Sequence, residues 1–120
     1  MKKTYRRRVG QNTSIPCVWY DHLTGAVRDL SSGFVGTAKV TDPRDDLTTL
    51  VVITNVVLAA TSPNFVITPT DANYTTLLGN WDGTLTANGY GFNLTPLLDV
   101  SDDEWPYEDR IELWLVPART

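Results

Sequence analysis

Apolar and polar positions alternate along much of this chain, and a period of two predicts strands rather than helices. In residues 14–40, Ile15, Cys17 and Trp19 fall two apart, with Ser14, Val18 and Tyr20 on the opposite face. A polar turn comes next at residues 21–25, and residues 26–30 and 34–40 resume the extended pattern on either side of Ser31-Ser32-Gly33. Residues 41–46, TDPRDD, carry turn chemistry and predict a loop. The run over residues 50–58, LVVITNVVL, is the most apolar and rich in β-branched side chains, so it predicts a central strand covered on both faces. Ser62-Pro63-Asn64 breaks it, and Phe65-Val66-Ile67 starts another extended piece.

A single helix is predicted over residues 69–78, capped by Thr68 or Thr70 with Asp71 in its first turn and Gly79 at its end. Ala72 with Leu77 or Leu78 is expected to seal one end of the fold. Residues 81–87 alternate again, Asn88-Gly89 signals a tight hairpin, and residues 90–95 pair back. An acidic loop at residues 99–104 leads to a closing strand over residues 110–116, with Ile111, Leu113 and Leu115 on one face and Pro117 as its stop. The pattern is that of one mostly β sandwich, residues 13–120, preceded by a basic arm or edge strand, residues 1–12.

Charge changes this picture more than composition does. The net charge of the 120 residues is only −4, but Lys2, Lys3, Arg6, Arg7 and Arg8 crowd one end, with no acid before Asp21. Asp99, Asp102, Asp103, Glu104, Glu108, Asp109 and Glu112 crowd the other, relieved only by Arg110. The basic segment reads either as a solvated tail or as an arm reaching an acidic surface on its own chain or a neighbour. Nucleic acid is not an expected partner, because Tyr5 is the only aromatic in the arm and the rest of the chain is acidic. The start of the chain lacks the apolar run of a secretory signal, and no segment has membrane-spanning length, so no membrane partner is expected.

Catalytic chemistry finds little footing. One cysteine, Cys17, sits on an apolar face, and the one histidine, His22, in a polar turn; together they cannot furnish a zinc site or a nucleophile elbow. Residues 79–83, GNWDG, lack the lysine and adjoining helix of a phosphate loop. The cluster Asp99, Asp102, Asp103 and Glu104 has oxygen donors for calcium but not the EF-hand spacing, so no cofactor is assigned. Sequons at Asn12, Asn73 and Asn93 carry no weight without a signal peptide. Trp105-Pro106-Tyr107, beside acids, is the best candidate for an exposed aromatic contact with a saccharide or another subunit, with Trp81 as a second stacking ring.

The order of features resembles small bacteriophage virion proteins, particularly the N-terminal domain of the upper baseplate protein family and related tail or head accessory proteins. The resemblance is carried by Arg6-Arg7-Arg8-Val9-Gly10 before the first strand, by the turn and small residues of 24–33, TGAVRDLSSG, by Thr68-Pro69-Thr70-Asp71, and by residues 78–83, LGNWDG. It implies an immunoglobulin-like antiparallel sandwich and a non-enzymatic structural role in a virion assembled in the host cytoplasm. The partners would be other phage structural proteins, with the chain docking as a homo-oligomer on the tail or baseplate. Capsid decoration and carbohydrate or host-surface binding are the alternatives. Unlike longer baseplate relatives, the chain ends close to its last strand, so no receptor-binding module is expected within it. The contact surfaces expected are the basic residues Lys2, Lys3, Arg6, Arg7 and Arg8, and an acidic and aromatic set of Asp102, Asp103, Glu104, Trp105, Tyr107, Glu108 and Asp109.

Overall fold

Alternation sets the strands, and the turns decide which sheet each one enters. The computed structural model describes residues 2–9, 11, 13–21, 23–80, 89–100, 103–107 and 110–117; for Lys2, Asp46, Val100 and residues 103–106 the description is of the backbone. In chain order these form β1 (Lys2–Arg8), β2 (Ile15–Cys17), β3 (Val35–Asp42), β4 (Asp45–Ile53), β5 (Val56–Leu58) and β6 (Phe65–Ile67). Then come α1 (Asp71–Asn80), β7 (Tyr90–Val100), β8 (Asp103–Pro106) and β9 (Arg110–Val116). One sheet runs β1-β9-β7-β3-β4, with β8 also paired to β7, and the other runs β2-β6-β5. The order β9-β7-β3-β4 facing β2-β6-β5 is that of strands G-F-C-C′ facing B-E-D, so the molecule is an immunoglobulin-like β-sandwich, with one short helix among the described residues. Among the described residues the strand pairs are antiparallel apart from β1, which lies parallel to β9.

The inward faces make one core. Ile15, Cys17, Phe65 and Ile67 from the small sheet meet Ala38, Val40, Ile53, Phe92, Leu94, Leu98, Ile111, Leu113 and Leu115 from the large one. Each fully buried large apolar side chain stabilises the fold by roughly 1.5–3 kcal/mol. Trp19 continues the Ile15 and Cys17 stripe and is buried with them, although the strand proper stops at Cys17. From Val18 to Phe34 the chain makes a long loop. Residues 26–30, expected to be extended, contribute only an isolated bridge between Tyr20 and Val27. Buried Asn64 holds this loop in place: its Nδ2 donates to the carbonyls of Trp19 and Arg28 at 2.9 and 2.7 Å, and its Oδ1 accepts the Trp19 amide at 2.8 Å.

Three further expectations are corrected. Residues 50–58 are not one central strand: β4 ends at Ile53, and β5 starts at Val56 in the other sheet. The Val56 amide turns back onto the Thr54 carbonyl at 2.9 Å, a tight three-residue turn that carries the chain across the sandwich. The two halves are edge strands, so Val52 and Val57 point outward and are exposed. The supposed loop over residues 41–46 is a hairpin whose turn is only Pro43-Arg44, with Asp42 opposite Asp45. In α1, Tyr74 and Leu77, not Ala72, face the core, and the helix runs one residue beyond Gly79. Its start is a reciprocal cap: the Asn73 amide donates to Thr70 Oγ1 at 3.2 Å, and the Thr70 amide to Asn73 Oδ1 at 2.9 Å. The hairpin half expected over residues 81–87 lies outside the described residues.

Candidate functional site

The strand that carries the basic cluster is an edge strand of its own chain. Because Cα partners run from Lys2 opposite Arg110 to Arg8 opposite Val116, β1 lies alongside the whole of β9. Side chains alternate as the pleat requires. Tyr5 packs toward the core, opposite Leu113, while Arg6 points to the outer face, opposite Trp114, with its guanidinium 5.2 Å from the indole centroid. The indole Nε1 in turn donates to Glu112.

Backbone groups alternate too, and this decides what the edge offers. The Val9 amide donates to the Val116 carbonyl, so in β1 the N–H and C=O of Lys3, Tyr5 and Arg7 face β9, and those of Lys2, Thr4, Arg6 and Arg8 face outward. Gln11 closes one end of that outward row. Its side-chain oxygen accepts the Arg8 amide at 3.2 Å, and its own amide donates to the Arg8 carbonyl at 2.8 Å. Arg7 then ties the strand to the segment leading into β2: Nε and Nη2 donate to the carbonyls of Thr13 and Ser14, and Nη1 to that of Arg6. Arg8 reaches the Pro117 carbonyl at 3.2 Å, while Lys3 is exposed. Among the described residues, nothing pairs with the outward backbone of Lys2 and Thr4 or with the outward amide of Arg6. The open run is therefore residues 2–6.

The acidic segment forms the other half of the same edge. After the hairpin that closes with Val100 opposite Asp103, the returning chain pairs with β7 first as β8 and then as β9. Leu97 faces Pro106 and Leu94 faces Ile111, so the returning chain carries two residues more than β7 over this interval. That bulge frees Tyr107 to turn inward. Its amide still bonds the Pro96 carbonyl at 2.9 Å, but its ring packs on Trp19 with centroids 5.2 Å apart. Its hydroxyl donates to the Val18 carbonyl at 3.0 Å and accepts the Val18 amide at 3.3 Å. Tyr107 is thus a tie between β8–β9 and the loop after β2, and not the exposed aromatic contact expected.

Of the remaining acidic and aromatic candidates, Asp103, Glu104 and Trp105 lie on β8, Asp102, Glu108 and Asp109 fall outside the described residues, and so does Trp81. By alternation from the Tyr107 amide, the backbone of Asp103 and Trp105 faces β7, and the N–H and C=O of Glu104 and the C=O of Pro106 face outward. Among the described residues, the structure brings the part of the acidic set that lies on β8 and the basic strand β1 to one margin of the large sheet. Thr4 and Gln11, which set the open run and its end, were missed. Nothing in their side-chain chemistry marks them, since their role is played through backbone geometry.

Elsewhere the polar groups serve the fold. Buried Asp42 accepts from Arg44 Nη2 at 2.9 Å and from the Tyr90 hydroxyl at 2.9 Å. The Arg44 hydrogen bonds hold its carboxyl below the usual aspartate range, against the opposing effect of burial, with Tyr90 adding a smaller push. Among the described residues no group of three or more His, Cys, Asp or Glu side chains is placed to hold a metal ion, and no helix is long and apolar enough to cross a membrane. No family model matches the chain, and no curated protein matches it.

Proposed function

We propose that the chain is a non-enzymatic structural component of a bacteriophage particle, docking as an oligomer on the tail or baseplate. The observation that carries this reading is the margin of the large sheet, where an unpaired backbone run in a basic strand adjoins an acidic strand. Such an edge suits attachment by strand addition, in which main-chain hydrogen bonds supply affinity and charge supplies selection. Repetition over many copies then multiplies a modest contact into stable docking. The likeness of the turn and strand signals to the upper baseplate family supports placing that assembly in a virion, with other phage structural proteins as partners.

Quantitative mass spectrometry of purified particles from the phage or prophage that encodes the chain tests the reading. The chain should be present in several copies per particle, and immunogold labelling should fall on the tail. Particles that are complete and infectious without it would overturn the proposal.

A further inference from the structure

We propose that two copies of this chain associate through the stepped margin of the large sheet, the basic strand β1 of each filling the notch beside the acidic strand β8 of the other. The inference rests on the reading of the chain as an assembly module and names its partner as a second copy.

The notch is a consequence of the pairing. β8 and β9 share one side of β7, one beyond the other along its length, and β1 adds a further strand only beside β9. Among the described residues no strand lies beyond β8 on that side. The margin therefore steps: it projects by one strand along β1 and recedes by one strand along β8. A twofold axis perpendicular to the sheet, set in line with β1, turns the projecting half of one copy into the receding half of the other. β1 runs in the direction of β9 and β8 in the same direction, so the rotated β1 arrives antiparallel to β8. Each β1 is then flanked by its own β9 and the partner's β8, and the two large sheets become one.

Charge and backbone both select this arrangement over the obvious competitor. Antiparallel pairing of β1 with a second β1 would set Lys2 and Lys3 across from Arg6 and Tyr5, and like charges directly opposite are destabilising. The basic strand is thus guarded against its own copy, as edge strands commonly are. Against β8 the signs are opposite: a strand that carries Lys2, Lys3, Arg6, Arg7 and Arg8 lies beside one that carries Asp103 and Glu104 and no basic residue. The outward groups also match in kind. The outward amides of β1 meet two outward carbonyls, those of Glu104 and Pro106, and the Glu104 amide can donate to one outward carbonyl of β1; Pro106 has no amide, so one bond of the ladder is absent at its position. Because the interface is isologous, each favourable contact occurs twice.

Sedimentation velocity on the full chain, with a charge-swapped pair of variants, tests the inference. The wild-type chain should dimerise at micromolar concentration in low salt and dissociate as salt rises, its dissociation constant increasing roughly tenfold or more by half-molar salt. Lys2→Glu with Lys3→Glu in one variant, and Asp103→Lys with Glu104→Lys in another, should each give monomers that stay folded by circular dichroism. Mixed in equal amounts they should form a heterodimer, because the reversed charges at positions 2 and 3 of one meet the reversed charges at positions 103 and 104 of the other, while the unchanged β1 and β8 pair as in the wild type. Thr4→Pro removes an outward amide while sparing the bonds to β9, and should also give a folded monomer. A wild-type monomer at every salt, swapped variants that dimerise as well as the wild type, or folded variants that do not recover on mixing would each overturn the proposal. The virion reading stands or falls separately, on the particle composition.

Discussion

Gly36 shows how closely the two sheets approach. A Cβ built there would lie 2.7 Å from Val56 Cγ1 and 2.9 Å from a Phe65 ring carbon, both belonging to strands of the opposite sheet. Gly36→Ala should therefore overpack the core and cost about 1–3 kcal/mol, read as a lowered urea midpoint with an unchanged m-value. Asp42 makes a prediction of the other kind. Its carboxyl is held below the unfolded value of about 3.9, so its contribution to stability is present above that pH and is lost as pH falls through the lower folded value. Wild type should lose stability on acidification below about pH 4 more steeply than Asp42→Asn, measured as the urea midpoint against pH. Arg44 is largely exposed, which keeps the expected difference within about 1 kcal/mol.

At the scale of elements, the strands that alternate strictly were legible, and those whose neighbours lie far off in sequence were not. β9 spans residues 110–116 as the alternation of Ile111, Leu113 and Leu115 requires, and the Ile15, Cys17 and Trp19 stripe is buried as expected. Residues 50–58 misled because a run rich in β-branched side chains resembles one buried strand. The polar pair Thr54-Asn55, both exposed, was the local sign that the chain crosses between sheets there. Tyr107 misled because its neighbours in sequence are acidic and polar, while its packing is set by a bulge that no periodicity reveals. Its Phe variant should keep the ring contact with Trp19 yet leave the Val18 amide and carbonyl without their partner, costing about 1–3 kcal/mol by chemical denaturation. A loss no larger than that of an exposed substitution would mean the hydroxyl is not a tie.

On the scale of the whole molecule, charge separation along the sequence becomes charge separation along a single sheet margin. The clusters themselves were plain in the sequence, but the parallel pairing of the first strand with the last was not, because it joins segments more than a hundred residues apart and no local pattern encodes it. That pairing settles a segment that reads as either an arm or an edge strand as an edge, with one side of its backbone satisfied and the other open. In the proposed assembly, attachment through such an edge would be reversible by salt and selective for acidic strands, as a module held by many weak contacts requires.

Residue-resolved amide hydrogen exchange over residues 2–9 tests this account most directly. In high salt, where the proposed dimer should dissociate, Lys3, Tyr5, Arg7 and Val9 should be protected and Thr4 and Arg6 should exchange quickly. Lowering the salt should bring protection to Thr4 and Arg6 as the edge is covered. Rapid exchange at all of these positions in both conditions would show that the basic segment is not paired with β9, and the edge and everything argued from it would fall.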